Sequence, residues 1–519
     1  MSKRIFILIP FFVSALALKS QSLLFPNDYF FQSNYLSQLE RDTTLPDFHY
    51  GMLPHVKNKI LDTCSSFYFF DAEKKIVNRI LSQDLIKVSL RDSMAGKKIQ
   101  VRFSVNPVFN LQAGLDLENV KDKLLINTRG FWVKASIGNK VFVESSFFEN
   151  QAFFPSYLDA AAKASGVVSG QGRWKKFKED GYDYAMSSAM LRLLPHPNFE
   201  ILLGHGKQKI GSSYRSLLLS DNAFNYPQLQ FRLKLWRNRI IYNQTYAVLM
   251  NLSDGGVTKP IGTERIFQKK PAAFQHLSFQ PLKQISIGLF QGLFWIPSDN
   301  KNNLTLHFNY FNPFPFLNAL MYDYNSAVFL MHGLNLDIRP FKYFHLLGQA
   351  IYSGKDKLIP NGEEQKYAYL AGFRYHPSFG AEGQHLLLLS AEYIKVNGNI
   401  YNSNQGYTQN YFHYGESLAY PFLSKGYEEW VACGRYQFKR IYAQGKINYL
   451  TYQDNLISFT RQILEGSAGF ILNPCYNLVA FGALQIRKES FSLLPNENKS
   501  YTVFSAGLRT SIYNLYSDN

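Results

Sequence analysis

From Ile99 to the C-terminus this chain alternates apolar and polar residues in long segments, a period that only extended strands satisfy. In "QISIGLFQGLFW" (Gln284 to Trp295), Ile285, Ile287, Leu289, Leu293 and Trp295 share one face. Ser286, Gly288 and Gly292 share the other, with Phe290 and Phe294 among them. "RIIYNQTYAVLMNL" sets Ile240, Tyr242, Tyr246, Val248 and Met250 against Asn243, Thr245 and Ala247, and "YTVFSAGLRTSIY" repeats the pattern around Phe504 and Leu508. Such segments exceed the ~5–6 residues of an ordinary strand and approach the ~9–11 that cross a bilayer.

About eighteen of these segments follow one another, an even number of the kind that closed single-chain barrels favour. Many form pairs around a tight turn, as at Arg237–Asn238, Asn473–Pro474 and Asn139. Between pairs lie longer polar stretches: Ala152 to Gly181, Ser253 to Lys270, Pro297 to Asn325 and Asn397 to Gly426. Short turns at one end and long loops at the other are the asymmetry of an outer-membrane barrel. The composition agrees. The 519 residues are 16% aromatic, with 34 Tyr and 44 Phe, yet only 18% are charged. Apolar side chains facing lipid, polar ones filling a lumen and aromatics at both interfaces produce that mixture. The expected fold is all-β, a transmembrane antiparallel barrel of about 18 strands over residues 99–519.

The N-terminus reads differently. Lys3 and Arg4 precede an apolar run from Ile5 to Leu18, with small residues at Ala15 and Ala17, so residues 1–20 read as a secretory signal peptide. Cleavage after Ala17 and cleavage after Ser20 both fit. Beyond it, no window reaches the ~20 apolar residues of a membrane-spanning helix. Residues 21–98 read as a small, partly helical periplasmic or plug segment. "YFFQSNYLSQLERD" (Tyr29 to Asp42) is a short helix, and "DAEKKIVNRILSQDLIKV" (Asp71 to Val88) a second, capped by Asp71. The three cysteines, Cys64, Cys433 and Cys475, are too few for a disulfide framework and match no metal-ligand spacing, so they read as small buried residues. No cofactor or metal is expected.

The formal charge of +17 would point to nucleic acid in a cytosolic protein. In an exported one it fits anionic outer-membrane lipid, lipopolysaccharide or acidic glycans, and nucleic acid is excluded. "GHGKQKIGSSYRSLLLSDNAFNYP" (Gly204 to Pro227) tests catalytic chemistry most directly. A phosphate loop needs Gly, four residues, then Gly-Lys-Ser/Thr, whereas Gln208 follows Gly206-Lys207 and Ile201 lies five residues before Gly206. Neither a G-x-S-x-G elbow nor an H-E-x-x-H helix occurs. A pair of His205 with Ser212 or Ser213 would need a bend at Gly211, so His205 reads first as a lumen-facing polar residue. The adjacent carboxylates Glu428 and Glu429 point to opposite faces of a strand and read as solvated. The chain is expected not to be an enzyme.

Carbohydrate contact suits the long loops better. "NIYNSNQGYTQNYFHYGESLAY" (Asn399 to Tyr420) is dense in Tyr and Asn, whose rings stack on sugar C–H groups and whose amides bond hydroxyls. The candidate glycan contacts are His205, Lys207, Tyr214, Tyr401, Tyr407 and Tyr411. Arg215, Asp221 and Asn222 form a candidate structural polar network, with Arg215 and Asp221 as its internal pair.

Three stretches together, "NTRGFWVKASIGNKVFVESSFFENQAFFPSY" (Asn127 to Tyr157), "GQGRWKKFKEDGYDYA" (Gly170 to Ala185) and the glycine-rich one above, resemble a Bacteroidota outer-membrane family. That family is described as gliding-motility-associated and RemB-like, and is grouped with capsule-assembly barrels of the Wzi type. The resemblance is strongest over Asn127 to Trp236. It implies a barrel of about eighteen strands in the cell outer membrane. It also implies a non-enzymatic role in binding or organising surface polysaccharide or capsule, within a capsule-assembly or gliding-motility system and alongside other surface-motility proteins. A porin-like transport barrel is the alternative reading, and an outer-membrane lipid or glycan hydrolase the third.

Overall fold

The structure, a computed structural model, describes residues 28–41, 52–53, 84–94, 97–118, 123–252, 267–295, 328–356, 364–380, 383–402, 410–420, 426–453, 458–491, 498–516 and 518, with 312, 314 and 317. It is a closed antiparallel barrel of 18 strands. In chain order the first nine are β1 (Lys97–Asp116), β2 (Lys123–Ile137), β3 (Val141–Phe153), β4 (Gly181–His196), β5 (Phe199–Gly206), β6 (Tyr226–Leu235), β7 (Ile240–Met250), β8 (Lys269–Leu282) and β9 (Ile285–Phe294). The second nine are β10 (Phe329–Phe341), β11 (Phe344–Asp356), β12 (Glu364–Tyr375), β13 (His385–Asn397), β14 (Tyr427–Phe438), β15 (Ile441–Gln453), β16 (Ser458–Asn473), β17 (Leu478–Phe491) and β18 (Lys499–Thr510). Each pairs with its neighbours in sequence, and β18 closes the ring on β1 through the register Leu508 opposite Leu111. A hairpin-by-hairpin ring needs no crossover and leaves no open edge inside lipid, which is the condition for a sheet to span a bilayer.

The alternation decides which side chains meet lipid. On β14, Trp430 and Tyr436 are exposed while Tyr427, Glu429, Val431, Cys433 and Gln437 are buried. Phe131, Leu203, Leu289, Leu389, Ile447, Leu464 and Phe504 continue an exposed apolar belt around the ring. Aromatic residues flank it. Near the short turns Trp236 stacks on Phe279 at 6.2 Å and Phe341 on Phe344 at 4.7 Å. Towards the long loops Tyr393 lies 4.6 Å from Trp430. Trp430 and Phe438 are eight residues apart on one strand, or about 26 Å at ~3.3 Å per residue, the scale of a hydrocarbon layer crossed by a tilted strand. The protein is therefore a barrel of the outer membrane.

β1 is longer than its partner β18. Its second half pairs with β18 over Asn110–Asp116, and its first half carries an additional strand, Ile86–Met94, on the same edge. That strand corrects one sequence expectation: Ile86, Lys87 and Val88 are extended, not the end of a helix, and residues 71–83 lie outside the described ones. Backbone pairing explains the difference, since the edge of β1 over Lys97–Val105 supplies partners for the N–H and C=O groups of this segment.

The other predicted helix is present as α1 (Tyr29–Arg41). Asp28 caps it: the carboxylate accepts from the Phe31 N–H at 2.8 Å and from the Ser511 hydroxyl at 2.9 Å. The helix sits against the wall at the short-turn end, with the Asn34 amide donating to Gln437 at 2.8 Å and the Tyr29 hydroxyl to Ser390 at 3.2 Å. A second helix, α2 (Ser156–Ser165), lies in the long connection between β3 and β4 and ends on Gly166 in the left-handed conformation. Of the cysteines, Cys433 is buried and free, Cys475 is disulfide-bonded rather than a simple buried thiol, and Cys64 lies outside the described residues.

Candidate functional site: a plugged lumen and the cavity beside it

The connection between β5 and β6, residues 207–225, does not project from the barrel. Almost every residue of it is buried. It folds into the lumen and reaches the opposite wall, where the N–H groups of Tyr214 and Arg215 both donate to the Glu392 carboxylate on β13. β13 is eight steps from β5 in a ring of 18, so the segment crosses nearly the full diameter. Gly211 makes the reversal possible. Its φ of +122° is a conformation that side-chain-bearing residues rarely adopt, and a Cβ there would strike the Gln349 amide.

The plug has an apolar half and a charged half. Leu217, Leu218 and Leu219 are fully buried against lumen-facing Phe274, Phe290, Phe294, Ile351 and Ile394. Burying whole leucine side chains contributes roughly 1.5–3 kcal/mol each before ordering costs, which accounts for phenylalanines on the face where a porin carries polar groups. The charged half centres on Arg215. Its guanidinium pairs with Glu429 at 2.8 Å and with Asp518 of the C-terminal tail, and lies 3.5 Å over the Tyr420 ring. Lys446 on β15 pairs with the same Asp518 at 2.9 Å and with Glu465 at 3.0 Å. Burial alone would raise the Asp518 carboxyl, but Arg215 and Lys446 outweigh it and hold the group well below the usual range.

Two readings of this stretch change. Arg215 and Asp221 are not a pair: Asp221 accepts instead from the Asn514 amide and the Tyr516 hydroxyl, both at 2.8 Å. Glu429 is not a solvated carboxylate but a fully buried partner of Arg215, while its neighbour Glu428 faces outward and pairs with Lys395 at 2.8 Å. Asn222 does join the interior network, donating to the Ser417 carbonyl at 3.3 Å.

The connection between β13 and β14 folds inward as well. Its described part, residues 398–402 and 410–420, includes a small hairpin of Phe412–His413 and Glu416–Ser417. Tyr401 and Tyr411 are completely buried, and their hydroxyls donate to the carbonyls of Leu217 and Leu218. Tyr214 is buried among Tyr29, Tyr420 and Tyr516. Lys207 is buried too, donating to the carbonyls of Gly170 at 2.8 Å and Asp221 at 3.0 Å. These four residues, expected as glycan contacts, are interior packing and hydrogen-bonding groups with no ring face or ammonium free for a saccharide. Tyr407 lies outside the described residues. His205 shares the register of Ile201 and exposed Leu203 on the outer side of β5, 5.9 Å from the Phe224 ring, so it does not face the lumen. Ser212 and Ser213 are in the lumen, Ser213 bonded to the Arg215 carbonyl at 2.6 Å, so no His–Ser pair is assembled.

The plug leaves one side of the lumen unfilled. A cavity of about 350 Å³ runs along β15–β18 and β1–β3, under α2 and above the start of α1. This is within the ~300–1,000 Å³ of small-ligand sites. Amides of Gln112, Gln444 and Gln485 and rings of Tyr157, Tyr184 and Tyr513 face it. Tyr157, on α2, hydrogen-bonds Gln485 and so ties the helix to the wall. None of these was singled out from the sequence. Alternation marks them as lumen-facing, but only the position of the plug separates cavity residues from packed ones.

No family model matches this chain, and no curated protein matches it in sequence. Among solved structures it is similar to Wzi, described as an outer-membrane protein involved in group 1 capsule assembly in Escherichia coli and as a carbohydrate-binding β-barrel. The TM-score is 0.53 at 11% identity, covering 95% of this chain and 100% of that one. OccK8 (OprE) of Pseudomonas aeruginosa follows at a TM-score of 0.45 and 11% identity, over 78% of this chain and 97% of its own. A BenF-like porin from Pseudomonas fluorescens Pf-5 gives 0.43 and 10%, over 79% and 97%. At these values the two pore proteins carry no weight, and the likeness to Wzi speaks to fold. The chain is an outer-membrane β-barrel whose fold is similar to that of Wzi.

Proposed function

We propose that this barrel binds and organises polysaccharide at the cell surface without chemical turnover. The observation that carries the reading is the plugged lumen: a pore needs a continuous aqueous path, and here buried leucines, tyrosines and ion pairs of the barrel's own loops cross the lumen from β5 to β13. The remaining cavity, with amides beside tyrosine rings, offers the donors, acceptors and stacking faces that saccharide hydroxyls and C–H groups use. The likeness in fold to a carbohydrate-binding barrel supports the same choice. The setting we propose is a capsule or gliding-motility system, a reading that rests on the resemblance of Asn127–Trp236 to RemB-like proteins.

The porin-like reading rests on the same cavity, taken as a path that opens when the plug shifts. Planar-bilayer recording separates the two: the binding reading expects no steady channel, and a stable open conductance from the unaltered protein refutes it. Binding is tested by surface-polysaccharide retention with Gln112→Ala and Gln444→Ala combined in the cavity. Retention should fall at least tenfold while the barrel still assembles, and unchanged retention would sink the cavity as the site.

A further inference from the structure

α1 meets the barrel wall through a cluster of side chains that the plug does not use. Glu40, in the last turn of the helix, faces His345 at the start of β11 and His376 just after β12. One ligand atom from each lies within 4.8 Å of the others. Glu40 Oε1 is 2.7 Å from His345 Nε2 and 3.6 Å from His376 Nε2. Both imidazoles are fully buried.

Three details distinguish this cluster from an ordinary hydrogen-bonded knot. The second Glu40 oxygen is fixed by the Tyr343 N–H at 2.9 Å, which leaves Oε1 as a single directed donor. His345 presents Nδ1 to the Asp337 carboxylate at 2.7 Å, the outer partner that orients zinc-bound histidines and sets their tautomer. Among the described residues, His376 is buried with Nδ1 unbonded, and its Nε2 meets only Glu40 Oε1, at 3.6 Å, longer than a good hydrogen bond. A buried imidazole nitrogen so weakly satisfied is costly, and a metal at Nε2 would satisfy it.

We propose that Glu40, His345 and His376 form a binding site for a divalent transition ion, Zn²⁺ by ligand chemistry, that clamps α1 across the short-turn mouth of the barrel. One carboxylate and two imidazoles are a donor set that zinc takes, with water completing a tetrahedron. Zn–N and Zn–O bonds of about 2.0–2.1 Å put tetrahedral ligands about 3.3 Å apart. The observed 2.7 and 3.6 Å from Glu40 bracket that spacing, and the two imidazole nitrogens lie within 4.8 Å of each other, so the three groups can converge on one ion with local side-chain adjustment. Arg374 lies near His376 and opposes a cation, but its guanidinium is directed to the Ser212 carbonyl at 2.8 Å, and the carboxylates of Glu40 and Asp337 outnumber it.

The test uses the full chain in detergent micelles, stripped with a chelator and titrated with Zn²⁺ alone. The unaltered protein should take up one equivalent, His376→Ala should bind at least tenfold more weakly, and Asp337→Asn about 10- to 100-fold more weakly. Absent uptake by the unaltered protein, or a loss of less than tenfold in His376→Ala, overturns the proposal. Should the alanine variant fail to assemble, Co²⁺ added to the unaltered protein decides. Intense four-coordinate d–d bands support the site, and the weak bands of octahedral Co²⁺ overturn it.

Discussion

Arg215→Ala separates the plug from the barrel that holds it. The substitution leaves Glu429 and Asp518 buried without their shared cation. Removing one member of a buried pair costs about 3–5 kcal/mol, and the contact over Tyr420 is worth up to about 2 kcal/mol where water is excluded. Partners that remain reduce the total, because Asp518 keeps Lys446 and Glu429 keeps the Asn448 amide. About 4 kcal/mol is a reasonable sum, and at 1.4 kcal/mol per decade it multiplies the displaced-plug population by about a thousand. The strand ladder does not depend on Arg215, so the barrel should assemble normally and shift its mobility on heating as usual. Single-barrel recordings should then show transient openings about a thousandfold more often than in the unaltered protein. A rise of less than tenfold refutes the idea that this cluster holds the plug. A companion variant combining Arg215→Met, Glu429→Gln and Asp518→Asn removes the charges along with the cation and should recover most of the closure. If it is as leaky as Arg215→Ala, lost shape and not stranded charge is the cause.

Two further outcomes follow from the plug. Burial pushes the Glu416 carboxyl up to about 7, against the opposing help of the Gly170 N–H and Lys207. A carboxyl raised on folding destabilises the folded form as pH climbs from its unfolded value of about 4.5 towards 7. Proteolytic resistance of the 410–420 hairpin should therefore fall across that window, and Glu416→Gln should flatten the profile; an unchanged slope in the variant contradicts this origin. Gly211→Val forces a β-branched residue into φ +122° and against Gln349. It should loosen the plug by more than about 1–3 kcal/mol, read as frequent channel openings, and closure equal to the unaltered protein would show that the reversal tolerates a side chain.

What the amino-acid order determines by itself is the wall. Period-two alternation, tight turns such as Trp236–Arg239 and an aromatic content too high for a soluble surface are local properties, and lipid outside forces them into one answer. The same logic correctly sets Glu428 and Glu429 on opposite faces. It fails on what those faces meet. Lys207, Tyr214, Tyr401 and Tyr411 look like exposed loop residues because polar and aromatic side chains in a glycine-rich connection ordinarily face water. Their burial depends on Glu392, Glu429 and Asp518, which lie on distant strands and the C-terminal tail. His205 was misplaced by a single step of parity, since one residue flips a strand's side chains from lumen to lipid face. The cavity and the Glu40–His345–His376 cluster have no sequence spacing at all. Ring closure and the inward fold of two loops bring their members together, and those are consequences of tertiary packing alone.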